Sequence, residues 1–181
     1  MFFEHQSSTD GALSPYRVLE LPGEASLLGG KIMADLGADV IKIEPPGGDA
    51  SRSIGPFYHD ETHPEKSLYW FALNTNKRSI TLNLQSSEGR DLFRRLGRTA
   101  DFVVESFSPG QMDKLGIGFS ALHEMNPRLI LASITPFGQT GPYAGYKGSD
   151  IVAWAMGGYM YLCGESERAP LRISLPPQAY F

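Results

Sequence analysis

Apolar positions along this chain follow two periods in alternation. From Ala25 to Leu36, Leu28, Ile32 and Leu36 recur at i, i+4 and i+8, which puts them on one face of a helix. Gly37 follows as a left-handed helix cap would. Val40 to Ile43 is then an apolar run of strand length, with the Gly/Pro loop Pro45-Pro46-Gly47-Gly48-Asp49 behind it. A second short apolar run, Arg17 to Leu21, precedes the helix across the turn Pro22-Gly23-Glu24. Strand, helix and strand in that order predict a right-handed crossover joining two parallel strands.

The pattern continues downstream. Leu68 to Leu73 reads as a short helix, and Ile80, Leu82 and Leu84 alternate as a strand does. Ser86 or Ser87 caps a helix running to about Leu96, with Leu92, Phe93 and Leu96 expected to face inward. Phe102 to Val104 and Leu129 to Ile134 read as strands, separated by a helix from Ala121 to Met125 that Asn126-Pro127 stops. Asp150 to Leu162 reads as one helix, with Ala153, Ala155, Gly157 and Gly158 making a face able to pack closely. Pro45 to Glu65 is irregular, and a loop of that length is functional or mobile. Strands alternating with helices predict an α/β fold, a Rossmann-like parallel sheet flanked by helices. Residues 1–14 are polar and read as a flexible leader, and 15–181 as a partial domain truncated on its C-terminal side.

Composition narrows the class. A chain of 181 residues suffices for one ordinary domain, burying roughly 70% of its unfolded surface. The net charge of −4 argues against a bulk nucleic-acid binder. The single cysteine, Cys163, permits no intrachain disulfide and reads as a core residue in a reducing compartment. The N-terminus has no basic segment followed by an apolar one, and no apolar run has the length of a membrane span, so the expected location is cytoplasmic with no membrane partner. His59 and His63 lie in an irregular loop and read as solvent-exposed polar side chains, with no metal site expected.

Ligands of an open parallel sheet sit beyond the carboxyl ends of its strands. The segments there are Pro22 to Ser26, Pro45 to Arg52, Glu105 to Lys114 and Thr135 to Thr140. Glu44 follows Gly23 at about the spacing of a dinucleotide-binding acid. However, Pro22-Gly23-Glu24-Ala25-Ser26-Leu27 lacks the G-x-G-x-x-G turn, and Glu24 would oppose a pyrophosphate.

Three separated stretches carry a family resemblance: Ala34 to Asp49, Asn74-Thr75-Asn76-Lys77-Arg78-Ser79-Ile80, and Val104-Glu105-Ser106-Phe107-Ser108-Pro109-Gly110. Together they resemble the class III coenzyme A transferases, the family of carnitine CoA-transferase, formyl-CoA transferase and α-methylacyl-CoA racemase. The resemblance spans Val18 to Pro170. It implies the N-terminal part of that family's large domain and an interlocked homodimer. It also implies transfer of CoA between an acyl-CoA and a carboxylic acid acceptor, with coenzyme A as substrate and no permanently bound cofactor. By the same resemblance, CoA contacts fall on Glu24, Ala25, Pro46, Asn76, Lys77, Arg78, Ser106, Phe107, Lys114 and Leu115. A polyanion such as CoA calls for basic side chains, and Arg52, Lys77, Arg78, Lys114 and Lys147 flank these loops. Ser106 replaces the family's usual Asn, Ser108 replaces a frequent Arg, and Lys114 stands where Arg is common, a change that is not neutral at a bidentate phosphate contact.

The transferases of the family work through an aspartate nucleophile. Counting from Pro170 brings its position onto Ala179, and no carboxylate occurs from Ala169 to Phe181. The racemases use a His in a Gly-His-Asp triplet that here reads Gly148-Ser149-Asp150. Asp150 is expected mainly as a helix N-cap, with direct chemistry as the alternative. The expected function is CoA transfer. The alternatives are acyl-CoA racemisation or epimerisation, or a catalytically inactive CoA-binding or dimerising subunit.

Overall fold

A computed structural model describes residues 11–171. Five strands, β1 (Arg17–Glu20), β2 (Asp39–Glu44), β3 (Arg78–Thr81), β4 (Phe102–Glu105) and β5 (Ile130–Ser133), form one sheet in the order β3-β2-β1-β4-β5. Every pairing is parallel, with Val18 opposite Val40 on one side and Phe102 on the other. The strand sequence reverses direction between β1 and β4. In such sheets ligands bind at the carboxyl edge where the strand order reverses, here between β1 and β4.

Successive strand residues point to opposite faces, and the core divides accordingly. Leu19, Leu21, Ile41, Ile43 and Val103 join Phe93, Ile117 and Leu122 in the larger cluster. Val18, Val40 and Val104 join Ala34 and Ala38 on the other face. The helices are α1 (Leu27–Asp35), α2 (Leu68–Asn74), α3 (Ser87–Gly97), α4 (Gln111–Lys114), α5 (Phe119–Met125), α6 (Asp150–Met156) and α7 (Tyr159–Leu162). Ser67 and Ser86 cap α2 and α3, their hydroxyls accepting from the amides of Trp70 and Gly89 at 3.0 Å each.

Four sequence expectations need correction. Leu28, Ile32 and Leu36 are not the buried face of α1. Ile32 and Leu36 are exposed, and Leu27, Gly30 and Ala34 face inward. The small face wins because the helix sits close over a buried glutamate: a Cβ on Gly30 would lie 1.8 Å from Glu20 Oε2. In α3, Phe93 is fully buried while Leu92 faces solvent. The third strand ends at Thr81, so Leu82 and Leu84 leave the ladder but remain buried. The helix expected over Asp150–Leu162 is two, broken at Gly158 in a left-handed conformation (φ 82°).

Part of the segment read as a flexible leader is packed. The Leu13 amide donates to Leu36 O at 2.9 Å, and its side chain rests on the Val18–Val40 cluster. Residues 1–10 lie outside the described residues.

Candidate active site at the carboxyl edge of the sheet

The turn after β1 runs against the turn after β4. Gly23 holds φ at +140°, and a Cβ there would meet Ser106 Oγ at 1.9 Å. The turn is fixed by Ser26 Oγ, which donates to Gly23 O at 3.1 Å. On the facing side, the Phe107 amide donates to Glu105 Oε2 at 2.6 Å.

Phe107 lines two cavities. One, of about 560 Å³, is lined by Ser106, Phe107, Ser108, Thr135, Tyr146 and Lys147, among others. The other, of about 190 Å³, is a mostly apolar slot walled by Pro22, Pro45, Leu82, Leu84, Phe107 and Leu115. A third cavity of about 290 Å³ lies beside the first turn, lined by Gly23, Glu24, Pro45, Asp49, Ser51 and Ile54. The hydroxyls of Ser106 and Thr135 are buried at the large cavity without a hydrogen-bond partner among the described residues. Buried polar atoms are nearly always satisfied, so two orphans on one cavity wall suit a ligand that supplies their partners.

Charged groups below this edge hold the strand ends together. Lys42 on β2 is completely buried, and its Nζ donates to Glu20 Oε1 at 3.1 Å and Leu21 O at 3.2 Å. The same ammonium lies 3.3 Å from Asp49 Oδ2, while Lys77 Nζ reaches Glu20 Oε2 at 2.7 Å. Burial works to raise the Asp49 carboxyl, but Lys42 and the Ser51 hydrogen bonds prevail and hold it below the usual range. Glu44 behaves alike. Burial is outweighed by Arg52, which binds both its oxygens at 2.6 and 2.8 Å, and by Ser79. The Arg52 guanidinium also lies over the Trp70 ring, 4.0 Å from its centroid.

A different carboxyl faces the third cavity. Tyr69 on α2 donates its hydroxyl to Glu24 Oε1 at 3.0 Å, bridging the helix to the turn after β1. Burial, with the nearby charges of Asp150 and Asp49, raises the Glu24 carboxyl against the Tyr69 hydrogen bond. Burial and the charge of Glu24 push Tyr69 far up, so its phenol stays protonated and can only donate at neutral pH.

The residues expected to contact CoA divide between two edges. Glu24, Ala25, Ser106, Phe107, Lys114 and Leu115 belong to carboxyl-edge loops, and Glu24, Ser106, Phe107 and Leu115 line cavities there. Pro46 stands just outside, the lining position being Pro45. Asn76, Lys77 and Arg78 precede or begin β3, at the opposite edge, and their polar groups are engaged within the fold. Asn76 Nδ2 donates to Asp35 Oδ1 at 2.8 Å, and Arg78 pairs with Asp39 at 2.5 Å. Lys77 Nζ is spent on Glu20, Leu27 O and Asn74 Oδ1. Burial lowers its pKa to about 8, against the pull of Glu20. Among the described residues this segment clasps α1 and β2 through those contacts. Arg52 is likewise committed to Glu44 and Glu65. Lys114 and Lys147 are exposed and carry no ion pair among the described residues.

Leu82 and Leu84 read as strand, yet they leave β3 and, with Asn83 and Gln85, wall the apolar slot. The signal was the turn chemistry of Asn83, whose Oδ1 accepts from the Gln85 amide at 3.0 Å. Asp150 opens α6 from within its first turn, Ser149 taking the N-cap position, and is 9% exposed. Ala179 lies outside the described residues. Cys163 is half-buried with a free thiol. Among the described residues, no cluster of His, Cys, Asp and Glu is arranged for a metal, and no helix is long and apolar enough to cross a membrane.

The chain resembles proteins of one kind. It is 44% identical over 167 residues to the succinate–glutarate CoA-transferase of Agrobacterium fabrum, covering 90% of this chain and 42% of that protein. It is 40% identical over 159 residues to the succinyl-CoA:(R)-benzylsuccinate CoA-transferase subunit BbsE of Thauera aromatica, covering 88% of this chain and 39% of that one. The crystal structure of a CaiB/BaiF family protein from Brucella suis superposes with a TM-score of 0.83 at 43% identity, covering 91% of this chain and 44% of that chain. The chain therefore spans about two-fifths of the length of the curated relatives it matches. The model of CoA-transferase family III matches residues 13–179, and with this parallel sheet and these relatives, the chain belongs to CoA-transferase family III.

Proposed function

We propose that this chain supplies the CoA-binding part of an enzyme that moves coenzyme A between an acyl-CoA and a carboxylic acid. The observation that carries the reading is the pair of cavities at the carboxyl edge that share Phe107 as a lining residue. CoA joins a flat apolar base to a polyanionic diphosphate and an amide-rich arm, and the two cavities differ in the matching sense. The slot between Leu82, Leu84, Phe107 and Leu115 suits the adenine. The larger cavity offers the unpartnered hydroxyls of Ser106 and Thr135 to amide or phosphate oxygens, with the Lys147 ammonium at its wall. Lys114, beside Leu115, adds a second uncommitted cation. The relatives named as CoA-transferases support the same substrates.

A thermal-shift titration tests this reading, because a ligand bound to the native state raises stability by mass action. CoA should raise the melting temperature in a saturable manner, and pantetheine, lacking the nucleotide, should do so only weakly. No shift with CoA would refute the assignment.

A second reading is a CoA-binding, dimerising subunit without turnover of its own. It is favoured by two relatives being named as subunits and by the lack of a carboxylate from Ala169 to Phe181. A homodimer also fits the exposed aromatic and aliphatic side chains of α6 and α7, including Ile151, Met156, Tyr159 and Tyr161. A cytoplasmic setting fits the free thiol of Cys163.

A further inference from the structure

The cavity beside the first turn differs from the other two in its charge. Pro22, Pro45, Ala50 and Ile54 give it an apolar wall, while Glu24 and Asp49 give it two carboxyls. Among the described residues no Lys, Arg or His lines it. The side-chain donors at hand are already spent: Ser51 donates its hydroxyl to Asp49, and Tyr69 donates its own to Glu24. The two buried ammonium groups beneath, Lys42 and Lys77, are matched by Glu20 and Asp49. Glu24 stands outside that balance and carries no ion pair among the described residues. Even this one negative charge is disfavoured there. Burial first, and then the charges of Asp150 and Asp49, raise the Glu24 carboxyl against the Tyr69 hydrogen bond.

The cavity adjoins both parts of the proposed CoA site. It shares Pro22 and Pro45 with the apolar slot. Its Gly23 abuts Ser106, on the wall of the large cavity, so closely that a Cβ would lie 1.9 Å from the hydroxyl. A thioester whose arm runs past Ser106 therefore has this cavity as the next space for its acyl group. Its volume of about 290 Å³ accommodates a small acyl chain.

We infer that the cavity beside Gly23 receives the acyl group, and that Glu24 restricts it to uncharged aliphatic chains, excluding the half-thioesters of dicarboxylic acids. The inference rests on the CoA-binding reading above and deepens it by naming the substrate class. An aliphatic chain exchanges water for Ile54, Ala50 and the two prolines, which is favourable in proportion to the apolar area covered. A terminal carboxylate would enter with no cation and no free side-chain donor to replace its water. It would also stand against the Glu24 charge, and like charges brought together in a binding site oppose association. Protonation of Glu24 would lift the repulsion but supply no counter-ion, so the preference weakens without reversing.

Isothermal titration of the full chain with butyryl-CoA and succinyl-CoA tests this, because both carry four-carbon acyl groups and differ at the terminal group. Free CoA is titrated alongside. Butyryl-CoA should bind about tenfold or more tighter than succinyl-CoA. That ratio should narrow in Glu24→Gln, which keeps an acceptor for Tyr69 and loses the charge. Ala50→Lys, at an exposed position of the wall, adds the missing cation and should turn the ratio toward succinyl-CoA. Equal affinities in the wild type, or tighter succinyl-CoA, would overturn the inference and leave the CoA-binding reading standing. So would a ratio that neither substitution moves. Absence of binding by CoA and by both thioesters would remove the reading and the inference together.

Discussion

Gly23 and Ser106 meet across the crevice between β1 and β4 so closely that a Cβ on the glycine would lie 1.9 Å from the serine hydroxyl. The backbone at Gly23 also has φ +140°, a conformation that L side chains rarely adopt. Gly23→Ala should therefore destabilise the fold by about 1–3 kcal/mol through backbone strain. It should also weaken CoA binding by pushing Ser106 into the large cavity. Pairing it with Ser106→Ala should restore binding more than stability, since the clash is relieved and the strain is not. Urea unfolding and CoA titration of the single and double variants separate the two effects.

Lys42 neutralises two buried acids at once, Glu20 and Asp49. Lys42→Met keeps the aliphatic bulk but leaves both carboxylates short of a partner. The expected loss is about 3–5 kcal/mol, the range for breaking a buried pair by removing one member. Equilibrium unfolding checks it, and a loss comparable to that of a surface substitution would contradict the network.

Stability at low pH should show two opposed contributions. Asp49 and Glu44 are held below their ordinary values of 3.8 and 4.5. As pH falls past those values the unfolded chain takes up protons first, and the stability they contribute is lost through their lower folded pKa values. Glu24 is raised, so the folded chain binds its proton first and stability rises slightly as pH falls toward 4.5. The stability curve should thus be flat or shallowly rising from neutrality to about pH 4.5 and fall steeply below. Glu44→Gln should make the fall shallower, measured by urea midpoints across the acid range.

Tyr161 and Leu162 on α7 are 91% and 78% exposed, beside exposed Met156 and Tyr159. Such a patch favours association. Sedimentation velocity should show concentration-dependent association of the chain, reduced in a Tyr161→Ser, Leu162→Ser double variant.

The sheet was legible because its central strands β1, β2 and β4 are buried and read as short apolar runs, and because Gly37 and Ser86 punctuate the helices in recognisable ways. Which face of α1 turns inward was not legible. Periodicity points to the large residues Leu28, Ile32 and Leu36, but a buried glutamate beneath the helix requires the glycine face instead. The residues expected to contact CoA divide between two edges for a similar reason. Loops that follow strands, such as Glu24 and Phe107, fall at the carboxyl edge by topology alone. The Asn76–Arg78 segment precedes its strand and so belongs to the other edge, however basic it is. The partners that occupy its charges, Asp35, Asp39 and Glu20, are distant in sequence and only the fold brings them near.

The proposed CoA site lies at the carboxyl edge around Phe107. Isothermal titration of CoA into Phe107→Ala and Arg78→Ala tests it most directly. Phe107→Ala should weaken binding by about 1.5–3 kcal/mol, the value of a buried aromatic wall, and Arg78→Ala should leave affinity unchanged. Unchanged affinity in Phe107→Ala together with a clear loss in Arg78→Ala would put the ligand at the opposite edge and contradict the account.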